Sequence, residues 1–336
     1  MDYLALYEKA RTHKGSLAGF YHHNVRVDTD TGPVLVRTRG PGAESMDLTL
    51  WPESSVLEAV QPYVSRAPRL LHASADPEFQ IHEFVEGCLV DEVSPGSDTP
   101  LPQTVLDGLE RLFCEMLRVP VTALPPVPSD WPGDGDTKAF ALRLLACVRE
   151  IRSRADSSLE GLYQDLDIPA DPCGPLSERA VAELSGRPFR LLHADIHRKN
   201  MILGKEAVVF LDWELALWGD PVYDLADHLH KTVHNVSDRH RVLAGWERAA
   251  PAECRLGWQD DLEFYLAYEE TKSAVVDTVR WGRRIALAPT AHERLTLAGE
   301  LRHKLIRASP HWDRAWSPQA PEIVDAALHR LGPGVG

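Results

Sequence analysis

The chain has 336 residues, of which 44% are hydrophobic and 26% are charged, and its formal net charge is −14. This length suggests about two domains, and the composition is that of a globular protein with a sizeable core, which excludes collagen-like, low-complexity and wholly disordered classes. The acidic excess argues against nucleic acid as a partner, because proteins that follow a phosphate backbone carry a basic face.

The cysteines and the apolar runs indicate the compartment. The five cysteines are widely spaced and include no Cys-x-x-Cys pair, which predicts neither a disulfide framework nor a zinc knuckle and fits a reducing cytosol. The N-terminal region has no apolar run typical of a signal peptide, and no stretch approaches the roughly 18 apolar residues of a membrane span. We therefore expect a cytoplasmic protein with no membrane partner, and the sequence leaves its oligomeric state open.

The first 86 residues have the pattern of an antiparallel sheet that carries one helix. A short helix is expected over residues 1–13, ahead of the sheet. A turn-forming cluster, DTDTG, separates the first two short β-branched runs and predicts a hairpin. The predicted strands are 20–27, 33–39, 69–74 and 79–85, and a helix over 51–64 lies between the second and the third.

From about residue 88 the pattern becomes mostly helical. Apolar residues recur at helical spacing, and a connector rich in Pro, Gly and Asp interrupts them at residues 125–136. The predicted helices are 101–120, 139–154, 262–287, 293–308 and 321–331. We therefore expect a sheet-bearing part, residues 1–86, and a larger, mainly helical part, residues 87–336.

The residues that carry chemistry are concentrated in segment 189–230. An apolar run, FRLL, enters the polar loop HADIHRKN, and MIL and AVVFLDW predict two buried strands joined by a short turn. These strands bring Asp195, Asn200 and Asp212 to one place. Carboxylate and amide oxygens suit Mg²⁺, which takes one or two protein carboxylates beside substrate phosphates. A further carboxylate is then available to accept a proton.

This segment resembles the catalytic core of the aminoglycoside phosphotransferase/choline kinase family, the small-molecule branch of the protein-kinase-like fold. Its His193-x-Asp195-x-x-x-x-Asn200 spacing matches the catalytic loop of kinases, and Asp212-Trp213-Glu214 stands where protein kinases have D-F-G. The stretch GDPVYDLA that follows resembles the G-D-P-x-x-D-L-A of the antibiotic kinases.

The resemblance implies an α+β, bilobal protein-kinase-like fold. A small antiparallel β-sheet N-lobe with one helix, residues 1–86, would bind the nucleotide. A larger, mainly helical C-lobe, residues 87–336, would hold the catalytic loop, the metal site and a helical substrate-binding subdomain.

The resemblance also implies roles in the catalytic loop. Asp195 would be the catalytic carboxylate that orients the acceptor hydroxyl and takes its proton, while Asn200 and Asp212 would hold Mg²⁺ for ATP or GTP. By residue type alone, Asp195 and Asn200 also fit an ordinary capped turn.

Three nearby side chains have expected supporting roles. His193 would support the loop by hydrogen bonding, and Asp224 would cap a helix start and tie it back to the loop. His197 stands where protein kinases place a lysine, so it is a candidate phosphate contact, and a solvated loop histidine is an equally open interpretation.

The nucleotide side of the resemblance lies in the first 86 residues. Arg37 takes the position of the strand residue that touches the nucleotide phosphates, Glu53 is its expected carboxylate partner, and Glu58 is the alternative. Glu83 to Val85 would hold adenine through backbone groups. The loop before the first strand is poor in glycine, so segment 17–24 would have to cover the phosphates.

Four carboxylates are candidates for binding a cationic substrate, because ammonium groups make charge-assisted hydrogen bonds to carboxylates. Glu214 and Asp227 are close in sequence to the catalytic loop, and Glu270 and Asp277 are seven residues apart on one face of the long helix 262–287. Solvated helix faces would explain the same residues without a substrate.

The leading hypothesis is therefore a kinase that phosphorylates a hydroxyl of a small cationic molecule, with an aminoglycoside or related amino-sugar natural product as the expected acceptor, in resistance or biosynthesis. Choline, homoserine, a sugar or a nucleoside antibiotic are alternative acceptors within the same chemistry. A catalytically inactive nucleotide-binding module is the alternative from another class. The sequence does not separate ATP from GTP.

Overall fold

The computed structural model of the protein describes residues 1–13, 22–39 and 48–332. The described residues form nine strands, which are β1 (His22–Thr29), β2 (Gly32–Arg39), β3 (Leu70–Ala75), β4 (Glu78–Glu83), β5 (Cys88–Leu89), β6 (Arg190–Leu192), β7 (Met201–Leu203), β8 (Val208–Phe210) and β9 (Leu217–Gly219). The segment expected to cover the phosphates lies largely outside the described residues.

The same residues form twelve helices, which are α1 (Tyr3–Arg11), α2 (Glu53–Val60), α3 (Val90–Val93), α4 (Gln103–Met116), α5 (Thr137–Ser153), α6 (Ser157–Asp165), α7 (Gly174–Glu183), α8 (Pro221–Thr232), α9 (Val236–Ala249), α10 (Trp258–Leu287), α11 (Ala291–Ala308) and α12 (Ala320–Leu331). Every helix and strand expected between residues 48 and 332 is present within a few residues of its predicted bounds. Helices α3, α6, α7 and α9 were not predicted.

Four strands make the predicted antiparallel sheet, in the order β1-β2-β4-β3. Alternate residues of β1 and β2 are buried, as a strand with one covered face requires. They form a core with residues of β4 and with Ala10 of α1, and the buried members are Ala10, Val25, Val27, Val34, Val36, Phe79 and Ile81. The ring of Tyr7 from α1 stacks on Phe79 at 4.6 Å between centroids.

Helix α2 follows Pro52, whose fixed φ suits a helix start. Its buried face consists of Val56, Leu57 and Val60, at helical spacing, and it also includes Glu53. A carboxylate that is 6% exposed requires a partner, because an unpaired buried charge is strongly unfavourable.

The segment that carries the expected catalytic residues contributes strands to two small antiparallel sheets, one of three strands and one of two. Strand β7 pairs with β8 and with β5, while β6 pairs with β9. The loop 193–200 therefore leaves β6 and returns through β7, and Asp212 follows β8 by two residues. Helix α8 begins directly after β9, with Asp220 as its N-cap, whose side chain accepts the N–H of Val222 at 3.0 Å.

The chain divides into two compact units. The first comprises Met1–Trp131 and Pro188–Arg255, and the second comprises Pro132–Arg187 and Leu256–Gly336. The sheet, the loop 193–200, Asp212 and α8 all belong to the first unit. The boundary expected between residues 86 and 87 stays a prediction. None of the helices in the described part of the chain has the length and apolarity needed to cross a membrane.

The second unit has its own helical core around α10, which packs on α5, α6, α7, α11 and α12. Two buried tyrosine hydroxyls fix this packing: Tyr163 donates to the carbonyl of Val275 at 2.9 Å, and Tyr268 donates to that of Leu144 at 3.4 Å. Both bonds satisfy polar groups that would otherwise be buried without a partner.

Candidate active site

The carboxylate of Asp195, in the loop that follows β6, has three polar side chains around it. Its Oδ2 accepts a hydrogen bond from Nδ2 of Asn200 at 2.8 Å and lies 3.4 Å from Nε2 of His197. Its Oδ1 lies 2.6 Å from Nζ of Lys231. Burial raises the pKa of Asp195, but the Lys231 ammonium and the His197 ring outweigh it and hold this pKa well below its usual range. Asp195 is therefore an ionised carboxylate.

Asn200 joins the loop to the segment that carries Asp212. Its side-chain Nδ2 donates to both the backbone oxygen and the carboxylate of Asp195, which fixes the orientation of the amide. Its backbone oxygen accepts the N–H of Leu211 at 2.7 Å, one residue before Asp212. The structure thus brings Asp195, Asn200 and Asp212 together, as expected from their spacing.

Arg37 lies between two carboxylates. Its Nε is 3.3 Å from Glu53 and its Nη2 is 2.5 Å from Asp212, so Glu53 rather than Glu58 is its partner on α2. Oε2 of Glu53 is the oxygen near Arg37, and its other carboxylate oxygen, Oε1, accepts the N–H of Trp213 at 3.1 Å. Burial lowers the pKa of Arg37, but the two carboxylates raise it by more than burial lowers it, so the guanidinium stays charged. The sheet, α2 and the residue after Asp212 are connected through this one ion-paired cluster.

Two features of residues 212–214 are unusual. Asp212 has φ 66°, a left-handed conformation that costs an L-residue roughly 1–2 kcal/mol and persists where surrounding contacts impose it. Burial and the neighbouring Asp212 raise the pKa of Glu214 to about 7. The expected contact of Glu214 with a substrate cation stays a prediction.

One face of α8 holds the loop 193–196 in place. The buried carboxylate of Asp224 accepts the backbone N–H groups of His193 and Ala194 at 3.1 and 2.7 Å. Nδ1 of His228 donates to the carbonyl of Ile196 at 2.9 Å. Burial lowers the pKa of His228 to about 4, so the ring is neutral at pH 7 and its Nε2 carries no proton. The expectation that Asp224 caps a helix was wrong, since Asp220 is the cap; its expected tie to the catalytic loop is present.

Lys231, which sequence reasoning missed, lies on the same face of α8. Its Nζ contacts Asp195 at 2.6 Å and the fully buried Asp227 at 2.8 Å. Asp227 was expected to bind substrate, whereas its observed contact is this internal ion pair. Thirty-six residues separate Lys231 from Asp195 in sequence, so their spacing carried no signal; the i,i+4 spacing of Asp227 and Lys231 was the available hint.

Arg198 is a second residue that the sequence did not single out. It is 4% exposed, and its guanidinium donates to the carbonyl oxygens of Thr99 and Thr232 at 2.7 and 3.0 Å and to Ser94. A buried arginine whose partners are backbone carbonyls anchors a loop without neutralising a carboxylate. Arg198 thereby ties the catalytic loop to the segment after α3 and to the end of α8.

The remaining residues expected in the first unit occupy defined places. His193 is fully buried, its Nε2 lies 3.0 Å from the carbonyl of Leu211, and its ring packs on Trp213, in agreement with a supporting role. The ring of His197 is held by Asp195 and by the N–H of Lys199. Glu83 ends β4, and Val85 lies in the connection to β5. Roles of His197, Glu83 and Val85 in nucleotide binding stay predictions.

Glu270 and Asp277 lie on α10 in the second unit, where each has basic partners. Glu270 lies 2.7 Å from Arg307 and 2.8 Å from His311, and Asp277 lies 2.9 Å from Lys304. Their negative charges are therefore balanced within the unit. The sequence showed their shared helix face but not the basic residues of α11 opposite them.

The donor set at Asn200 and Asp212 fits Mg²⁺. Asn200 bonds Asp195 through Nδ2, which leaves its amide oxygen Oδ1 as the metal-ligand candidate, and Arg37 contacts Asp212 at Oδ1. One amide and one carboxylate oxygen are hard ligands, and Mg²⁺ completes its shell with phosphate oxygens and water. Among the described residues, no group of three His, Cys, Asp or Glu side chains forms a self-sufficient metal site.

Comparison with known proteins identifies the class. The model of the phosphotransferase enzyme family matches residues 14–256. Because this match spans well over half of the 336 residues, the chain belongs to the phosphotransferase enzyme family. It is thus a member of a family of small-molecule kinases, and the resemblance to aminoglycoside phosphotransferases and choline kinases is confirmed. A comparison with curated protein sequences gives no match.

Solved structures confirm the fold. A choline/ethanolamine kinase family protein from Mesorhizobium loti is 12% identical, with a TM-score of 0.59 over 98% of this chain and 100% of that chain. Macrolide 2'-phosphotransferase MphH from Brachybacterium faecium is 14% identical, with a TM-score of 0.53 over 95% of this chain and 100% of that one. A thermostable mutant of aminoglycoside phosphotransferase APH(4)-Ia, in ternary complex with AMP-PNP and hygromycin B, is 14% identical, with a TM-score of 0.52 over 91% and 98%.

At these identities the likeness shows the fold alone. The three neighbours are named for acceptors of different chemistry, and their TM-scores lie between 0.52 and 0.59. The α+β, protein-kinase-like fold expected from the sequence is thereby confirmed, while the acceptor of this chain must be argued from its own residues.

Proposed function

We propose that this protein is a magnesium-dependent O-phosphotransferase that transfers the γ-phosphoryl group of ATP or GTP to a hydroxyl of a small molecule. The observation that carries this proposal is the direct connection of the Asp195 carboxylate to Asn200, whose backbone in turn bonds the residue before Asp212. A candidate proton acceptor and two metal-ligand candidates are therefore held in one hydrogen-bonded cluster, as phosphoryl transfer requires.

The proposed step balances as follows. The acceptor oxygen forms a bond to the γ-phosphorus while the bond from that phosphorus to the bridging oxygen breaks, and the electron pair leaves with the nucleoside diphosphate. Asp195 takes the proton of the acceptor hydroxyl. Such a transfer passes through a loose transition state and demands little basicity, so an Asp195 whose pKa is held low by Lys231 and His197 is adequate if it is well placed.

Asn200 and Asp212 would hold Mg²⁺, which would neutralise negative charge on the phosphates. Arg37 supplies a further fixed positive charge beside Asp212, and Glu53 holds it there at 3.3 Å. Glu83 to Val85 would receive the nucleobase through backbone groups, and His197 is a candidate contact for the phosphates. The family membership and the neighbour solved with AMP-PNP support the use of a nucleoside triphosphate.

For the acceptor, the net charge of −14 and the carboxylates of the first unit support a cationic amino-sugar compound such as an aminoglycoside. The ion pairs of α10 favour a second candidate. Because Glu270 and Asp277 already have Arg307, His311 and Lys304 as partners, these two carboxylates give no support to a polycationic acceptor. An acceptor with one positive charge or none, such as choline, a sugar or a macrolide, needs no such support.

The test is acceptor-dependent nucleotide turnover across a panel graded by charge: aminoglycosides, a single amino sugar, choline, homoserine, a nucleoside antibiotic, a macrolide and a neutral sugar. Blanks lack acceptor or contain EDTA, and ³¹P NMR identifies the phosphorylated hydroxyl. Metal-dependent turnover with one acceptor class supports the proposal and selects between the two candidates. Nucleotide binding without turnover on any acceptor would instead favour the inactive nucleotide-binding module.

A further inference from the structure

Helix α8 delivers a positive charge to the carboxylate that the proposed function makes the proton acceptor. Asp224, Asp227, His228 and Lys231 fall at positions i, i+3, i+4 and i+7 of α8, and therefore on one face. Asp224 and His228 bond the loop backbone at residues 193, 194 and 196, and Lys231 reaches Asp195 itself at 2.6 Å.

The ammonium group of Lys231 is paired with a buried carboxylate of its own helix, Asp227. Asp227 is fully buried and lies 2.8 Å from Nζ, one helical turn earlier on α8, whereas the Lys231 side chain is 25% exposed. A purely internal ion pair would need Asp227 alone. Nζ also contacts Asp195, and both of these side chains are partly exposed, Lys231 at 25% and Asp195 at 19%, so a ligand from solvent can approach this pair.

The basic residues of the catalytic loop itself are placed differently. The guanidinium of Arg198 is turned inward among backbone carbonyls. Lys199 is exposed, and the ring of His197 is engaged by Asp195 and by the N–H of Lys199. A transferred phosphoryl group carries negative charge on three oxygens, and fixed cations beside it stabilise the transition state.

We propose that Lys231 is a catalytic residue of this kinase: its ammonium group contacts the γ-phosphate of the bound nucleotide, with Asp227 as its fixed counter-charge. This inference rests on the proposed function. It assigns to α8 a positive charge at the catalytic carboxylate, beside whatever the loop residues contribute. Lys231 stays protonated throughout, while the acceptor proton passes to Asp195.

The experiment needs no knowledge of the acceptor. Titration calorimetry measures the dissociation constants of ATP and ADP, and of GTP and GDP in parallel, with Mg²⁺ for the wild type, Lys231→Met, Lys231→Arg and Lys205→Met. Lys205 is exposed in the turn between β7 and β8, so its substitution removes the same charge away from α8. The double variant Lys231→Met/Asp227→Asn also removes the charge of the buried carboxylate that loses Lys231 as a partner, which keeps the test available if the single variant does not fold.

We expect the wild type to bind the triphosphate more tightly than the diphosphate. A charge-assisted contact to the γ-phosphate predicts that Lys231→Met and the double variant lose about ten- to a hundredfold of that preference. Lys205→Met should keep it, and Lys231→Arg should keep most of it. An unchanged preference in both Lys231→Met variants, or no preference in the wild type, would overturn the inference. Failure of the wild type to bind any of the four nucleotides would overturn the proposed function itself.

Discussion

Replacing Asp224 tests whether α8 holds the catalytic loop in its working conformation. Asp224 is 2% exposed and accepts two backbone N–H groups, from His193 at 3.1 Å and from Ala194 at 2.7 Å. Ala194 has φ 60°, so its backbone adopts a left-handed conformation, which is unfavourable for an L-residue. The carboxylate therefore stabilises an intrinsically unfavourable turn one residue before Asp195.

The expected loss in the free energy of unfolding follows from the two N–H groups that lose their acceptor, those of His193 and Ala194. Asp224→Ala removes the acceptor of two buried N–H groups, and at about 1–3 kcal/mol for each unpaired group the free energy of unfolding should fall by about 2–6 kcal/mol. Asp224→Asn keeps one acceptor oxygen, so about half that loss, 1–3 kcal/mol, is expected. Burial raises the pKa of Asp224 to about 7, so the comparison belongs at pH 8, where the wild-type carboxylate is ionised.

The assay is urea unfolding followed by circular dichroism, together with turnover at saturating nucleotide. Both variants should also lose turnover beyond what their unfolded fraction explains, because Asp195 follows the disturbed turn directly. Two results would refute this reasoning: a loss below about 0.5 kcal/mol in Asp224→Ala, within the range of an ordinary surface substitution, or full turnover in a folded Asp224→Ala protein.

Two further predictions concern stability. Burial lowers the pKa of His228 to about 4, so between about pH 6.5 and 4 this side chain is protonated in the unfolded chain but not in the folded one. The contribution of His228 to the free energy of unfolding is therefore complete above about pH 6.5 and is lost as the pH falls towards 4. Between pH 7.5 and 5.0 the loss should be about 2 kcal/mol. Urea unfolding of wild type and His228→Asn at both pH values should show a smaller loss in the variant, and equal losses would contradict the assignment. In α4, a Cβ added at Gly108 would lie 2.0 Å from Cγ1 of Val208, whereas one added at Gly299 in α11 meets nothing within 4 Å. Gly108→Ala should lower the melting temperature, because an overpacking cost of about 1–3 kcal/mol exceeds the roughly 1 kcal/mol gained in helix propensity. Gly299→Ala should raise the melting temperature, because it gains the same propensity without a clash. A rise in both variants would mean that β8 moves to accommodate the added methyl group.

The sequence predicted the parts of the fold that have strong local patterns. The β-branched hairpin around DTDTG and the long α10 were found because their periodicity is clear. Helix α9 was missed because it is largely polar, with its buried residues spread over Val242, Gly245, Trp246 and Ala249. Strand β9 was missed because three residues are too few to show a period, and its pairing with β6 depends on the tertiary fold.

The candidate site divides in the same way. Asp195, Asn200 and Asp212 could be identified because a strand-loop-strand segment places residues of fixed spacing together. Lys231 could not, because its contact with Asp195 depends on how α8 packs against the loop. The ion pairs of Glu270 and Asp277 were equally hidden, since their basic partners Lys304 and Arg307 come from α11.

The central claim is that Asp195 accepts the proton of the acceptor hydroxyl in phosphoryl transfer. The most direct test compares wild type with Asp195→Asn, which preserves shape and removes the charge, by measuring kcat for transfer of a labelled γ-phosphoryl group and the dissociation constant of the magnesium nucleotide. We predict that kcat falls by about 10²–10⁴-fold while the nucleotide still binds with an affinity close to that of the wild type. An Asp195→Asn enzyme that transfers the phosphoryl group at the wild-type rate would contradict the account.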